Sequence, residues 1–536
     1  MLSNKEFGYN GDNFYALKPD IHASEAISSH RTLRKFNFVP RIERQSPPFP
    51  LLAYSFALSS QLNPDNTISD EIDNMSLSSL VSALLNLSWM ILPLFLLAKG
   101  FPIDAQIKKF PGFDHELPSK HYAGYITVGS ESHRRHLYYY FATSEINPLE
   151  DPITLWINGG PGCATLSALV HLIGPFKIRS DLIHLKDQTK IKLNPFSWTK
   201  VSSLIFVDSP AGTGYSYADK DEDYITDDTK TVQDLYDFII KWFSDYPEFL
   251  SNPLYLAGCS YSGVIVPVLA QEIVNRNGGD NGVNLNLKGY SLGNAAIDLN
   301  IENNAMVPFA YRIGLISDEL YKDLATSCNG KYWNNSHPDC LRNLKNFHMQ
   351  IKGINIEHIL YLPCHHQVET NIEDNEYNSV HEESKYGIYC HDYESAPQRL
   401  FDSRTARQDL HAMPVEVSGT WIRCTSRLRY TRNILSLTPY HLNLTSQGYR
   451  AFMYSGDHDM ILPYTATLEW LSTLNYAEIE KWHPWFVNDQ IAGYAIRYEN
   501  NLLFATLKGA GHAATEYMPR EALVAYRRWI DGAESL

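Results

Sequence analysis

Residues 254–267, LYLAGCSYSGVIVP, constrain the fold of this chain more than any other stretch. Leu254 to Ala257 is an apolar run of strand length, bounded by turn residues, and reads as a buried strand. It enters a turn, Gly258-Cys259-Ser260-Tyr261-Ser262-Gly263, and Val264 to Ala270 then reads as a helix. Gly258 two residues before Ser260 and Ser262 two after it are small enough to permit a sharp turn. A buried strand running directly into a helix, with a serine at the tip of the turn, belongs to sheets covered by helices and is the arrangement of a nucleophile elbow.

The same rhythm recurs along the chain. Ile153 to Ile157 and Ser203 to Val207 are buried-strand runs, each followed by a Gly/Pro loop. Val232 to Phe243 has helical spacing, and Tyr290-Ser-Leu-Gly is a fourth strand. Residues 121–143 alternate and read as a strand pair with a Gly-Ser turn. Tyr449 to Tyr454 and Leu503 to Leu507 are later strands, and Arg520 to Trp529 is a closing amphipathic helix. Strands alternating with helices predict an α/β fold, with a mostly parallel central sheet flanked by helices. Residues 301–430 interrupt the pattern with polar, cysteine-containing, helical segments. The expected division is therefore a core in two parts, 101–300 and 431–536, with an insertion or lid at 301–430.

The first hundred residues differ. Residues 1–74 are polar, lack a period, and read as disordered. Residues 75–100 carry an uncharged apolar run from Leu80 to Ala98. Three readings stand: a secretory signal begun at Met75, a signal anchor, or a buried helix. The first makes residues 1–74 an artefact of the start-codon assignment. The second is the one way in which this chain would engage a membrane.

A formal charge of -15, with no Lys/Arg cluster, excludes nucleic acid as a partner. Seven cysteines without a CxxC pair make a zinc site improbable, and no metal or other cofactor is expected. The odd count permits three disulfides and one free thiol in an oxidising compartment. Sequons at Asn334 and Asn443 are usable there.

A serine nucleophile needs a base, and the base needs an orienting carboxylate. In this architecture the chain order is Ser, Asp, His. Tyr454-Ser-Gly-Asp457-His458-Asp459 ends one strand, and Thr506-Leu-Lys-Gly-Ala-Gly-His512 ends the next. Both loops fall at the carboxyl edge of the sheet, where sites of open α/β folds lie. His512 follows Gly-Ala-Gly, which allows close backbone approach. Spacing alone does not choose between Asp457 and Asp459. Trp156 to Cys163, WINGGPGC, is a glycine-rich loop after a strand, suited to offering backbone N–H groups to an oxyanion, with the Tyr261 N–H as a second donor.

WINGGPGC, FVDSPAGTGYSY, GCSYSGVIVP, YSGDHDMILP and GAGHAATEYMP, in this order, resemble the serine carboxypeptidase-like family from about residue 105 to 536. The resemblance implies an α/β-hydrolase fold with an inserted helical, disulfide-linked lid. It implies Ser260, Asp459 and His512 as catalytic residues and Gly160 and Tyr261 as oxyanion donors. It pairs Cys163 with Cys424, Cys328 with Cys340 and Cys364 with Cys390, leaving Cys259 free. Asn158, Gly159 and Cys259 fall at substrate-binding positions.

The family contains peptidases and acyltransferases. Its peptidases hold a substrate's terminal carboxylate with an Asn in the NGG loop and two acidic residues. Asn158 is kept here, but the acid positions are Cys259 and Leu172. Each lost polar partner costs about 1–3 kcal/mol. SYSG, HAATEY, DQIAGY and WHPW instead resemble the plant acyltransferase branch, with Cys259 where that branch has Asp. The implied activity is transfer of an acyl group from a 1-O-glucose ester to an alcohol or amine acceptor, in the secretory pathway, ending in the vacuole or outside the cell. The alternatives are a serine carboxypeptidase and a non-catalytic binding protein.

Overall fold

The computed structural model describes residues 103–178, 191–279, 283–362, 390–533 and 536, with the backbone alone for 103 and 390–395. The expectations for residues 1–74 and 75–100 lie outside this set, and so does the Cys364–Cys390 pairing. Among the described residues no helix is long and apolar enough to cross a membrane.

A twelve-stranded sheet organises the chain. Ten strands matter for the site: β1 (His121–Ser130), β2 (His133–Ala142), β3 (Ile153–Ile157), β4 (Ser203–Val207), β5 (Leu254–Ser260), β6 (Leu287–Ala295), β7 (Arg450–Gly456), β8 (Glu478–Val487), β9 (Gln490–Tyr498) and β10 (Leu502–Leu507). Their order is β1-β2-β4-β3-β5-β6-β7-β10-β9-β8, and two-residue strands at Gln106–Ile107 and Tyr217–Ala218 add to β1 and β2. The six strands from β4 to β10 in this order are mutually parallel. The outer hairpins β1–β2 and β9–β8 run antiparallel to their neighbours. All five residues of β3 and of β4 are buried, as expected of strands covered on both faces.

Two apolar layers flank the sheet. On one face α1 (Asp228–Asp245) and α2 (Ser262–Arg276) bury Leu235, Phe238, Trp242, Val264 and Leu269. Asp227 caps α1 by accepting from the Lys230 N–H. On the other face the carboxyl-terminal helix Pro519–Ile530 buries Ala522, Tyr526 and Trp529. The Tyr526 ring stacks on Trp198 at 3.7 Å, and its hydroxyl shares a hydrogen bond with Thr154 on β3.

Between β6 and β7 the chain carries α3 (Leu299–Arg312), α4 (Asp318–Cys328) and α5 (Pro338–Gln350), then helices at Cys390–Asp402, Arg404–Asp409, Val415–Ser418 and Thr438–Ser446. The helices α3, α4 and α5 have an apolar cluster of their own, including Phe309, Leu324 and Phe347. The Cys328–Cys340 disulfide joins α4 to α5.

Candidate active site

β5 ends at Ser260, whose φ of 59° puts an L-residue in the left-handed region. Such a backbone costs about 1–2 kcal/mol and persists only where the surroundings enforce it. Here each small neighbour has a steric reason. A Cβ on Gly258 would lie 2.2 Å from Ser262 Oγ and 2.4 Å from the Ile157 carbonyl. A Cβ on Gly263 would lie 2.5 Å from the Ala296 carbonyl, so α2 can pack close to the end of β6 only without it. The Ser262 hydroxyl donates to the Cys259 carbonyl at 2.7 Å, and the Ala296 N–H donates to the Ser260 carbonyl at 2.9 Å. Among the described residues Ser260 Oγ makes no hydrogen bond.

The glycine-rich loop faces this turn. A Cβ on Gly159 would sit 2.6 Å from Ser260 Cβ and 2.7 Å from the Tyr261 nitrogen. The space beside the serine, in front of the Tyr261 N–H, therefore exists because residue 159 has no side chain. Gly160 has φ of 114°. Asn158 is committed inside the loop: its Oδ1 accepts from Trp156 Nε1 at 2.7 Å, and its Nδ2 donates to the Ala164 carbonyl and Ser167 Oγ. The Cys163–Cys424 disulfide ties the loop to residues 423–425, with Ala164 N–H on the Arg423 carbonyl and Thr425 N–H on the Gly162 carbonyl. Buried Asp208, after β4, accepts from the Thr165 N–H and hydroxyl and from the Tyr215 N–H. Burial pushes its carboxyl up to about 6.

β7 and β10 end in the loops carrying Asp459 and His512. The structure separates the two aspartates that spacing left open. His512 Nδ1 lies 2.8 Å from Asp459 Oδ2. Asp457 instead accepts from the Gly509 N–H and pairs with His458 Nδ1. Asp459 is fully buried, and its Oδ1 accepts from the Ile461 and Leu462 N–H groups. The His512 N–H donates to the Glu357 carbonyl at 2.7 Å, and a Cβ on Gly511 would collide with that carbonyl and with His358. Burial alone would lower the His512 pKa, but the Asp459 carboxylate outweighs it, helped by Glu357, and the imidazole is held above its ordinary value.

Asn294 belongs to this set, although the sequence did not single it out. It is the penultimate residue of β6, with φ of 41°, and is fully buried. Its Nδ2 donates to Asp459 Oδ2 at 2.8 Å, and its Oδ1 accepts from the Gly456 N–H at 3.2 Å. The available signal was a Gly-Asn pair at the carboxyl end of an apolar strand, since Asn tolerates the left-handed region.

Among the described residues Cys259 is the free thiol, partly exposed beside Ser260. Burial pushes it up to about 11, against the Gly159 N–H and the charge of Arg423, so the thiol is neutral. Leu172 is buried on the short helix Ala168–Leu172. Neighbouring His171 faces Glu516 at 3.7 Å and is held neutral by burial, with Arg423 and Lys177 adding to the effect. Asn334 is exposed, whereas Asn443 donates its amide to Gln271.

The family model described as serine carboxypeptidase matches residues 111–532. Serine carboxypeptidase 1 of Hordeum vulgare is 42% identical, over 81% of this chain and 94% of its own length. Serine carboxypeptidase-like 21 of Arabidopsis thaliana is 38% identical, over 82% of this chain and 96% of its own. Among solved structures, Kex1(delta)p, a prohormone-processing carboxypeptidase from Saccharomyces cerevisiae, superposes with a TM-score of 0.65 at 20% identity, covering 81% of this chain and 97% of that one.

Proposed function

The chain belongs to the serine carboxypeptidase family and is a serine hydrolase-type enzyme, and we propose that within this family it transfers acyl groups from a 1-O-glucose ester to an alcohol or amine acceptor. The observation that carries this reading is the wall beside Ser260. A neutral thiol at 259 and a buried leucine at 172 stand where a peptidase of this family uses two acids to hold a terminal carboxylate. The Asn158 amide is occupied within its own loop as well.

In the proposed reaction His512 Nε2 takes the Ser260 proton as Oγ attacks the ester carbonyl. The oxyanion is received by the Tyr261 N–H and the Gly160 backbone. The Oγ–C bond forms, the C–O bond to the sugar breaks, and the proton passes from His512 to the departing glucose. An acceptor hydroxyl or amine then gives its proton to His512 and attacks the acyl-serine; the Oγ–C bond breaks, and His512 passes that proton to Ser260 Oγ. Asp459 holds Nδ1 toward itself and favours the imidazolium that forms in each step. Transfer outruns hydrolysis only where the acceptor is bound and water is kept out. Two disulfides and the free sequon at Asn334 support a secretory, oxidising location, with the vacuole or the extracellular space as destination.

The test is mass spectrometry. Purified protein is incubated with a panel of phenolic 1-O-glucose esters and no acceptor. An acyl mass on the peptide carrying Ser260, discharged by an added alcohol or amine, is expected. The second reading, a carboxypeptidase, is favoured by the 42% identity to serine carboxypeptidase 1 of Hordeum vulgare. Brisk release of single residues from peptide carboxyl termini, without acyl transfer, would replace our reading by that one. An unlabelled Ser260 toward both glucose esters and a fluorophosphonate would mean that neither reaction occurs.

A further inference from the structure

Asp459 is matched by a second fully buried aspartate that lies outside the triad, Asp228 at the first position of α1. Each accepts four hydrogen bonds. Those to Asp459 come from His512, Asn294 and the N–H groups of Ile461 and Leu462. On Asp228, Oδ1 accepts from the Tyr261 hydroxyl at 2.8 Å and the Tyr430 hydroxyl at 2.9 Å. Its Oδ2 accepts from the Asn433 N–H at 2.8 Å and the Ile434 N–H at 2.9 Å. A carboxylate has about four acceptor sites, so this one is filled. Its own helix does not use it, because Asp227 already caps α1. Asp228 serves partners outside the helix, and one of them follows the nucleophile.

The Tyr261 N–H belongs to the peptide that joins Ser260 to Tyr261. Across that peptide the backbone passes from φ of 59° to φ of −59°. A rotation there swings the N–H away from an oxyanion, and small misplacements of this kind are costly to rate. The Tyr261 side chain makes no cap for α2 and is tied at its far end to Asp228. A hydrogen bond to a charged acceptor is roughly twice as strong as a neutral one. Burial and Asp228 both push the Tyr261 phenol up, so the hydroxyl stays a donor. The Tyr430 ring meets the Tyr261 ring edge-on at 5.7 Å. The other three bonds to Asp228 hold the chain returning from the insertion. There the short strand Arg429–Thr431 pairs with Ile225–Asp227, just ahead of α1. Cys424, in the same stretch, is bonded to Cys163. One returning segment thus reaches both oxyanion donors, the Gly160 loop through a disulfide and Tyr261 through Asp228.

We infer that Asp228 is a positioning residue for acyl transfer: by holding the Tyr261 hydroxyl it fixes the direction of the Tyr261 N–H toward the oxyanion, and by holding residues 430–434 it links that direction to the seating of the returning chain. The inference rests on the catalytic reading of Ser260.

The experiment compares Tyr261→Phe, Asp228→Asn and Tyr139→Phe in the full chain. The readouts are kinetics on p-nitrophenyl esters, inhibition by an alkyl trifluoromethyl ketone, and thermal unfolding. On the ketone Ser260 Oγ adds to the carbonyl carbon, its proton passes to His512, and the carbonyl oxygen becomes an oxyanion facing the Tyr261 N–H. Tyr261→Phe is expected to lower kcat about tenfold with KM within about twofold, and to raise the inhibition constant by the same factor as kcat falls, since both read the oxyanion. Asp228→Asn is expected to do at least as much and to lower the melting temperature further, because an amide meets four donors. Tyr261→Phe removes one hydroxyl only and serves if Asp228→Asn folds poorly. Tyr139→Phe removes another buried tyrosine hydrogen bond, to Tyr246, on a strand three places from β5. It is expected to lower the melting temperature and to leave kcat and the inhibition constant unchanged. Natural values of both in Tyr261→Phe would reduce Asp228 to packing and overturn the inference. A raised KM with kcat unchanged would overturn it too, because the role would then lie in substrate binding. Equal losses of kcat in Tyr139→Phe would overturn it as general loosening. A natural chain that hydrolyses no ester and takes no fluorophosphonate label would count against the proposed function itself and remove the positioning role with it.

Discussion

At the scale of residues the decisive fact is that one aspartate oxygen serves two donors. Asp459 Oδ2 takes both His512 Nδ1 and Asn294 Nδ2, each at 2.8 Å. Replacing Asp459 with Asn removes the charge that holds the imidazole above its ordinary value and leaves burial, which lowers it. The base form of His512 then fills at lower pH. The acid limb of kcat/KM is expected to move down while kcat falls by roughly 10³–10⁴-fold. Asn294→Ala keeps the charge but frees the carboxylate to turn. A hydrogen bond to a charged group contributes about 1.5–3 kcal/mol, so kcat is expected to fall roughly 10–100-fold with KM little changed. Steady-state kinetics across pH 4–8 checks both, and an unchanged kcat in Asn294→Ala would reduce that residue to packing. Ser260 and His512 were legible because each follows a strand and sits among glycines whose absent side chains the structure accounts for. The choice of Asp459 over Asp457 was not legible from spacing. Both lie in one tight loop, and only the approach of the Gly509 N–H to one and of His512 to the other separates them.

At the scale of elements, strands buried on both faces announced themselves and half-exposed ones did not. β8 reads EIEKWHPWFV, with mostly exposed positions, and its charges hide its strand character. Its Trp482 and Trp485 were visible only as a motif, and the structure supplies the reason for it. Trp485 Nε1 donates to the Thr506 carbonyl at 3.0 Å, in space that a Cβ on Gly493 would fill. Trp482 stacks on Tyr494 at 5.3 Å. The glycine-rich loop is likewise an element held from outside. Cys163–Cys424 spans 261 residues of sequence and fixes the loop against residues 423–425. Removing a bridge of this kind costs about 2–5 kcal/mol. Cys163→Ala with Cys424→Ala is therefore expected to lower the melting temperature and also to lower kcat, since the Gly160 backbone loses its anchor. Cys328→Ala with Cys340→Ala, which unties only α4 from α5, is expected to lower stability with a smaller effect on kcat. Calorimetry and ester hydrolysis on the two variants separate these outcomes, and equal losses of kcat would remove the loop-anchoring argument.

At the scale of the whole molecule, buried titrating groups set a pH dependence that no stretch of sequence displays. His121 and His441 are fully buried, each with Nδ1 on a tyrosine hydroxyl at 2.7 Å and with Nε2 lacking a partner among the described residues. Burial lowers both pKa values to about 3. An unfolded chain takes up protons on these rings near the ordinary value of 6.5, while the native state refuses them. Stability is then lost as pH falls from 6.5 toward 3, by about 2 kcal/mol for each ring between pH 6.5 and 4.5. Asp208 works in the opposite sense. Its native pKa of about 6 lies above the ordinary carboxylate value, so the native state binds a proton first and gains stability as pH falls from 6 toward 4. Its share over pH 6 to 4.5 is about 2 kcal/mol. The two histidines outweigh the aspartate, and the melting temperature is expected to be several degrees lower at pH 4.5 than at pH 7. His441→Gln is expected to narrow that difference, and Asp208→Asn to widen it by removing the opposing gain. A higher melting temperature at pH 4.5 than at pH 7 would mean that other groups dominate. An enzyme working in an acid compartment would on this account do so below its pH of greatest stability, held there in part by the disulfide across its glycine-rich loop.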